Sequence, residues 1–236
     1  MWWPCSRLWE AAEMEARYAR NIPALTEEAC LQLRRKKAAV IGCGGLGGYL
    51  LELLARVGVG TLIAVDGDVF DETNLNRQLL SEVPLLGTSK AEAAKLRLER
   101  VNPEVTVTAV PEFLTEENAV EILRGCDVVL DALDSIEARK LLAKACGELG
   151  IPCVHGAISG WVAQAAVSLP GDGLVDRLYP ENTIIRDKSV LSFTPALCAS
   201  VQTALCVRLL TGRPVESGEL YYFDLLHQEF ETIPML

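Results

Sequence analysis

Four glycines in the run Gly42-Cys43-Gly44-Gly45-Leu46-Gly47 have the spacing of a loop that cradles phosphate. Gly42 permits a tight turn from strand into helix, Gly44 lets a phosphate approach the backbone, and Gly47 lets the helix pack closely on the strand. Gly45 opens the helix, whose free backbone N–H groups would face an anion. The loop alone does not choose a ligand, because dinucleotide enzymes use the same spacing.

The residues behind the loop narrow the choice. Asp66 lies 24 positions after Gly42, at the end of the next predicted strand. A carboxylate there accepts ribose hydroxyls, in NAD enzymes and adenosine binders alike. Asp68 either orients the following loop or is structural. Asn74, Arg77, Gln78 and Lys90 then supply amide and cationic groups. A leaving pyrophosphate needs cations held against it. Arg77 can fork two phosphate oxygens, and Lys90 at a helix start is a point charge. Either would read as a surface residue alone; both behind this loop read as a triphosphate grip. Asp134 follows the apolar strand Val128-Val129-Leu130-Asp131-Ala132-Leu133. It therefore stands at a strand's carboxyl end, where open α/β sheets bind ligands. A hard carboxylate there suits Mg2+ shared with phosphates.

Other polar residues have plainer readings. Asp131 is expected to cap the following helix, His155 to be a satisfied structural histidine, and His227 to have no partner. Arg34-Arg35-Lys36-Lys37 reads as the solvated end of a helix.

The elements that must carry these groups follow from periodicity. Residues 10–20 are rich in Ala, Glu and Arg and predict a helix, and Thr26 caps a second one ending near Arg35. Strands are predicted at 38–41, 61–65, 105–110, 127–130 and 151–155. Helices are predicted at 45–57, 89–101, 115–123 and 135–149 from apolar spacing such as Leu46, Leu50, Leu53, Leu54 and Val57. Residues 66–87 read as a long loop too charged for the core. Alternating strand and helix indicates a Rossmann-like, doubly wound, mostly parallel sheet. After residue 156 the pattern changes to a hairpin partner at 157–169, a turn at 170–173 and a crossover loop at about 171–192. An apolar helix at 195–210 and two antiparallel strands at 220–223 and 229–233 complete the sheet. With no repeat or low-complexity linker, residues 1–236 read as one domain. It comprises an N-terminal helical arm (1–37), a nucleotide-binding half (38–156) and a second half (157–236).

Composition bounds the rest. The chain has 236 residues, half of them hydrophobic, enough for a sizeable core. A net charge of −10 argues against a nucleic-acid partner. No apolar run approaches the roughly 18–20 residues of a membrane span, and the first residues lack a signal-peptide pattern. A cytoplasmic protein with no membrane partner is expected. The eight cysteines include no C-x-x-C pair, so neither a zinc site nor disulfides are expected.

In order along the chain stand Arg17-Tyr18-Ala19-Arg20, the glycine loop, Asp66-Gly67-Asp68, Thr73-Asn74-Leu75-Asn76-Arg77-Gln78, Gly87-Thr88-Ser89-Lys90, and Asp131-Ala132-Leu133-Asp134 followed by Arg139. In these motifs, over residues 15–234, the chain resembles the ThiF/MoeB/HesA adenylyltransferases, relatives of ubiquitin-activating enzymes. The resemblance implies an enzyme that binds ATP and Mg2+ and the Gly-Gly tail of a ubiquitin-like sulfur carrier protein. The carrier's terminal carboxylate would attack the α-phosphate, giving an acyl-adenylate and pyrophosphate. That would serve thiamine or molybdopterin-type cofactor biosynthesis. It implies that Asp66 holds ribose, that Asn74, Arg77, Gln78 and Lys90 grip phosphates, and that Asp134 supports Mg2+. Arg20 matches an arginine that reaches into the partner's site, implying a homodimer with two composite sites.

The chain departs from this pattern twice. Relatives often carry two C-x-x-C pairs for a structural zinc, and the matching stretches here, near 174–179 and toward the C-terminus, have none. Many relatives also have a crossover-loop cysteine that forms a covalent intermediate. No cysteine lies between Cys153 and Cys198, and Ile185 stands near the expected place. Two other readings compete: an NAD(P)- or FAD-dependent oxidoreductase, and a non-catalytic nucleotide-binding module. The first leaves Arg77, Lys90 and Asp134 without a purpose, and the second leaves the intact charged set unexplained.

Overall fold

A computed structural model describes residues 15–183 and 189–235. The chain enters as a 3-10 turn, Ala16–Asn21, and then helix α1 (Glu27–Arg34), whose first turn is capped by the Thr26 side chain accepting from the Ala29 amide. The remainder of the helix expected at 10–20 lies outside the described residues. Strand β1 (Lys37–Ile41) leads through the glycine loop into α2 (Gly45–Val57), then β2 (Thr61–Val65). After a long loop come α3 (Lys90–Val101), β3 (Thr106–Val110), α4 (Ala119–Leu123), β4 (Val128–Asp131) and α5 (Ile136–Leu149). Strands β5 (Cys153–Ser159) and β6 (Val162–Ser168) form a hairpin. A short α6 (Leu174–Leu178), the long α7 (Phe193–Leu210), β7 (Glu219–Asp224) and β8 (Glu229–Pro234) follow.

All eight strands join one sheet in the order β3-β2-β1-β4-β5-β6-β7-β8. The first five are parallel and the last three antiparallel. The order reverses between β1 and β4, and such a switch point opens a crevice at the strands' carboxyl ends. Alternation along β1 divides its side chains between two cores. Ala38 and Val40 pack with α2, α3 and α7, and Ala39 and Ile41 with α4 and α5. A strand buried on both faces reads as a continuous apolar run, as this one does.

Four expectations need correction. The loop at 66–87 is not outside the core: Phe70 and Leu80 are buried in it, held by Phe70 N–H to Thr88 O and Gly87 N–H to Phe70 O. Two 3-10 turns, Glu72–Asn74 and Val83–Leu85, give the segment shape. The helix expected over 115–123 is only one turn, because Thr115 and Asn118 side chains engage backbone and hold 115–118 in a turn instead. The crossover is not structureless throughout: α6 buries Leu174, Val175 and the following Tyr179. Residues 184–188, including Ile185, lie outside the described residues. Finally, α7 is an 18-residue helix apolar enough to reach the length of a membrane span. Here it is a core helix, with Cys198, Ala199 and Cys206 fully buried.

Candidate functional site

The glycine loop is fixed by contacts that admit no side chain at two positions. Gly42 has φ +97°, and a Cβ there would stand 2.6 Å from the Ala132 carbonyl oxygen. A Cβ on Gly47 would stand 1.7 Å from the Gly42 carbonyl oxygen. The loop is thus clamped between the start of α2 and the residue that follows β4. No side chain caps α2, whose N-cap is Gly44. Its first-turn N–H groups and the positive end of its dipole form an anion-binding end.

Asp66 sits at the carboxyl end of β2 beside this loop. Its Oδ2 accepts from Cys43 N–H at 2.7 Å and its Oδ1 from Asp68 N–H at 2.8 Å. Burial pushes its carboxyl above the usual range against these hydrogen bonds and the nearby Lys90. Burial likewise raises the Cys43 thiol, with the Asp66 charge adding to it. Cys43 is therefore a packed thiol and no nucleophile. Asp68, left open between two roles by the sequence, pairs with Lys90: Nζ to Oδ2 is 3.1 Å, and Lys90 N–H donates to Asp68 O at 3.0 Å. Lys90 is buried to 7% exposure at the first turn of α3, and Asp68 stays exposed. A cation so placed can turn to a phosphate when one arrives.

The 74–78 segment folds over the start of α2. Arg77 lies with its Cγ 3.8 Å from where a Cβ on Gly45 would be, and its Nη1 donates to Thr73 O at 2.8 Å and to Asn76 Oδ1 at 2.9 Å. The Gln78 side-chain nitrogen is 3.5 Å from a Cβ built on Gly44, and its Oε1 is buried without a partner. The Gln78 side-chain nitrogen can donate to an anion at the loop, whereas its buried oxygen, an acceptor, needs a donor such as water or a hydroxyl. Asn74 is brought close by sequence but is used locally. It is buried, and its Oδ1 accepts from Asp71 N–H at 3.3 Å in a reciprocal cap of the turn.

Asp134 is exposed in the loop after β4. Ala132, two residues earlier, is the residue against which Gly42 and Gly47 close, so this loop borders the cradle directly. Among the described residues no three His, Cys, Asp or Glu side chains cluster to hold a metal. A single hard carboxylate beside a phosphate cradle suits Mg2+, which keeps waters and takes phosphate oxygens in preference to an all-protein cage.

Arg20 is the exception. It is exposed in the 3-10 turn, which is anchored to the far end of α2: Tyr18 packs against Gly58, and Asn21 Nδ2 donates to Val57 O at 3.3 Å. Within one chain it does not join the other site residues.

One constellation escaped the sequence reading. Asp131 does not cap the next helix; Ser135 does, accepting from Ala138 N–H at 3.2 Å. Asp131 is instead buried at the end of β4 in an ion pair with Arg139, Nη1 to Oδ2 2.9 Å. Burial opposes its ionisation, but the Arg139 charge and the His155 hydrogen bond outweigh it and hold its carboxyl below the usual range. His155 is fully buried, with Nδ1 2.7 Å from the same Oδ2 and Nε2 3.2 Å from the Tyr179 hydroxyl. Burial pushes its imidazole below the ordinary range, so the neutral ring is the expected form. A polar residue inside each of two all-apolar strands was the available signal, since a buried charge requires a partner. His227 also has a partner, Asp224, with Nδ1 2.8 Å from Oδ2.

Known proteins resemble this chain in sequence and in fold. The sequence profile of the ThiF family matches residues 18–235. The SAMP-activating enzyme E1 of Haloferax volcanii is 35% identical over 228 residues, covering 92% of this chain and 84% of that protein. The sulfur carrier protein adenylyltransferase of Thermus thermophilus is 34% identical over 241 residues, covering 95% and 88%. Against the adenylyltransferase and sulfurtransferase MOCS3 of Mus musculus, 34% identical over 227 residues, the chain spans 49% of the longer protein. Among solved structures, E. coli MccB with ATP superposes with a TM-score of 0.77 at 20% identity, covering 94% of this chain and 72% of that one.

Proposed function

The chain belongs to the ThiF family, and we propose that it is an ATP-dependent adenylyltransferase acting on the C-terminal Gly-Gly carboxylate of a ubiquitin-like sulfur carrier protein. The observation that supports this reading most is the uncapped start of α2, with Arg77 lying over it, the Gln78 amide nitrogen beside it and the half-neutralised Lys90 at the neighbouring helix start. A nicotinamide or flavin enzyme has no use for that set, and a non-catalytic module has no need to keep it. The names of the relatives point the same way, as a sulfur carrier protein adenylyltransferase and a SAMP-activating enzyme.

In this proposal Asp66 holds the ribose, the glycine loop with Arg77, Gln78 and Lys90 holds the phosphates, Asn74 serves them by shaping the turn that carries Arg77 and Gln78, and Asp134 is the residue for Mg2+. Bound Mg2+ would supply charge neutralisation on the phosphates. The carrier's carboxylate is ionised near pH 7, so attack needs no general base. Its oxygen bonds to the α-phosphorus as the bond to the β-phosphate oxygen breaks, leaving acyl-adenylate and pyrophosphate. Catalysis then consists of alignment and of donors aimed at the charge that develops. Residues 1–37, 38–156 and 157–236 are read as the arm, nucleotide half and carrier half of one adenylation unit in a cytoplasmic homodimer, with Arg20 serving the partner's site. Its setting is thiamine or molybdopterin-type cofactor biosynthesis.

The test is exchange of labelled pyrophosphate into ATP, with a small carrier ending in Gly-Gly from a neighbouring gene. Exchange that depends on the carrier's terminal carboxylate is expected. Calorimetric binding of NAD in place of ATP would sink the reading.

A further inference from the structure

Arg139 closes the last of the sequence motifs, and nothing in the nucleotide grip uses it. Its guanidinium is buried to 5% exposure. It donates from Nη1 to Asp131 Oδ2 at 2.9 Å and to Gly156 O at 2.7 Å, and from Nη2 to Leu133 O. Asp131 Oδ1 accepts from Leu133 N–H at 3.0 Å. Both backbone groups of Leu133, the residue before Asp134, are therefore held by one buried ion pair.

The same carboxylate leads outward to the crossover. His155 Nδ1 and Arg139 Nη1 both aim at Asp131 Oδ2 and so stand 3.1 Å apart. With its proton on Nδ1, His155 offers Nε2 as acceptor to the Tyr179 hydroxyl at 3.2 Å, and that oxygen accepts from Gln164 Nε2 at 3.2 Å. The Arg139 guanidinium carbon also lies 5.6 Å from the Tyr179 ring centre. Tyr179 ends α6, where the chain begins to cross over the sheet. On the far side of the crossing, Val190 O accepts from Asn76 in the phosphate-gripping segment.

We propose that Arg139 is a positioning residue that locks the loop presenting Asp134, and that His155 and Tyr179 extend this lock to the end of α6. Only the kinetic part rests on the adenylation reading; the lock itself is read on the free protein. Tyr179→Phe keeps the ring and its contact with Arg139 and removes only the hydroxyl.

Hydrogen exchange measured on the ligand-free full chain provides the test. Amides of residues 132–135 are expected to exchange about fivefold faster in Tyr179→Phe and in His155→Asn, the worth of one neutral hydrogen bond in a local opening. Amides of β1 and the middle of α2 are expected to stay at wild-type rates. In pyrophosphate exchange the same variants lower kcat by a similar factor with the KM for ATP unchanged. Arg139→Lys, which keeps the charge but not the fork, follows the same pattern more strongly. Wild-type exchange at 132–135 in both Tyr179→Phe and His155→Asn would overturn the lock, and so would faster exchange spread evenly over the chain, which marks a purely structural role. Local loosening without any change in kcat would overturn the link to catalysis. Failure of Arg139→Lys to fold leaves the decision with the other two variants, and absence of all exchange activity in wild type would count against the adenylation reading alone.

Discussion

Mixing two inactive variants should restore activity if Arg20 serves the site of a partner subunit. The geometry sets the argument. Arg20 belongs to a turn fastened to Val57 and Gly58 at the end of α2, and the phosphate cradle is at the start of that helix. Thirteen helical residues separate the two by about 20 Å at roughly 1.5 Å per residue, farther than an arginine side chain extends. Arg20→Ala and Asp134→Ala chains should each be inactive as homodimers. In a mixed dimer one site would combine both lost groups, and the other would keep both native ones. Random exchange of equal amounts makes half of the dimers mixed, each with one of two sites intact, so activity per chain should approach about one quarter of wild type. The assay is pyrophosphate exchange after subunit exchange has been verified by mass. Verified mixed dimers without activity would refute the reasoning, as would a monomer with full activity.

Asp134→Ala should abolish exchange while moving the denaturant midpoint by no more than about 0.5 kcal/mol in stability, because the side chain is exposed; wild-type exchange would remove its assignment. Lys90→Ala and Arg77→Ala should each slow exchange by about a hundredfold, the usual loss of one transition-state donor, and a threefold effect would place them outside the site. Gly47→Ala, whose Cβ would meet the Gly42 carbonyl at 1.7 Å, should cost about 3 kcal/mol, the upper end for overpacking; an unchanged midpoint would mean the loop is not clamped. His155 has a folded pKa below its unfolded value, so its contribution to stability is full above the unfolded pKa of about 6.5 and is lost as pH falls below it. The exposed pair of His227 with Asp224 has the opposite sign, since its folded pKa is raised: its contribution is present below the unfolded pKa and is lost as pH rises through the folded one. Denaturation between pH 5 and 8 on His155→Asn and His227→Asn separates them, and a slope unchanged by His155→Asn would contradict a buried neutral ring.

Much of the nucleotide half was legible because its signals are local. Leucine spacing marks α2 over its full length, and Thr26 before α1 accepts from the amide three residues on, as the expected cap does. The strands β1, β2 and β4 are apolar on both faces and so stand out as runs. Phe70 and Leu80 were hidden for the converse reason. They enter the core from irregular backbone, where charged and amide neighbours suggest solvent and no period exists to count. The five residues of α6 are likewise too few to show a helical repeat.

The site divides along the same line. The groups proposed to meet the ligand lie on consecutive loops and could be ordered from sequence, because the doubly wound topology fixes where strand ends converge. Pairings made across the sheet could not. Asp131, Arg139 and His155 meet only once β4 and β5 are adjacent and α5 has folded back on them, which no local pattern encodes. Yet the cost of burying a lone carboxylate is itself a constraint. An aspartate inside Val128-Val129-Leu130-Asp131 must find a cation and donors, and Arg124, Arg139, Lys140, Lys144 and His155 are the candidates that flank it along the chain. A polar residue in any two-sided strand carries the same constraint, and here it leads from Asp131 to the loop before Asp134 and ties to that loop the histidine that reads alone as a structural residue.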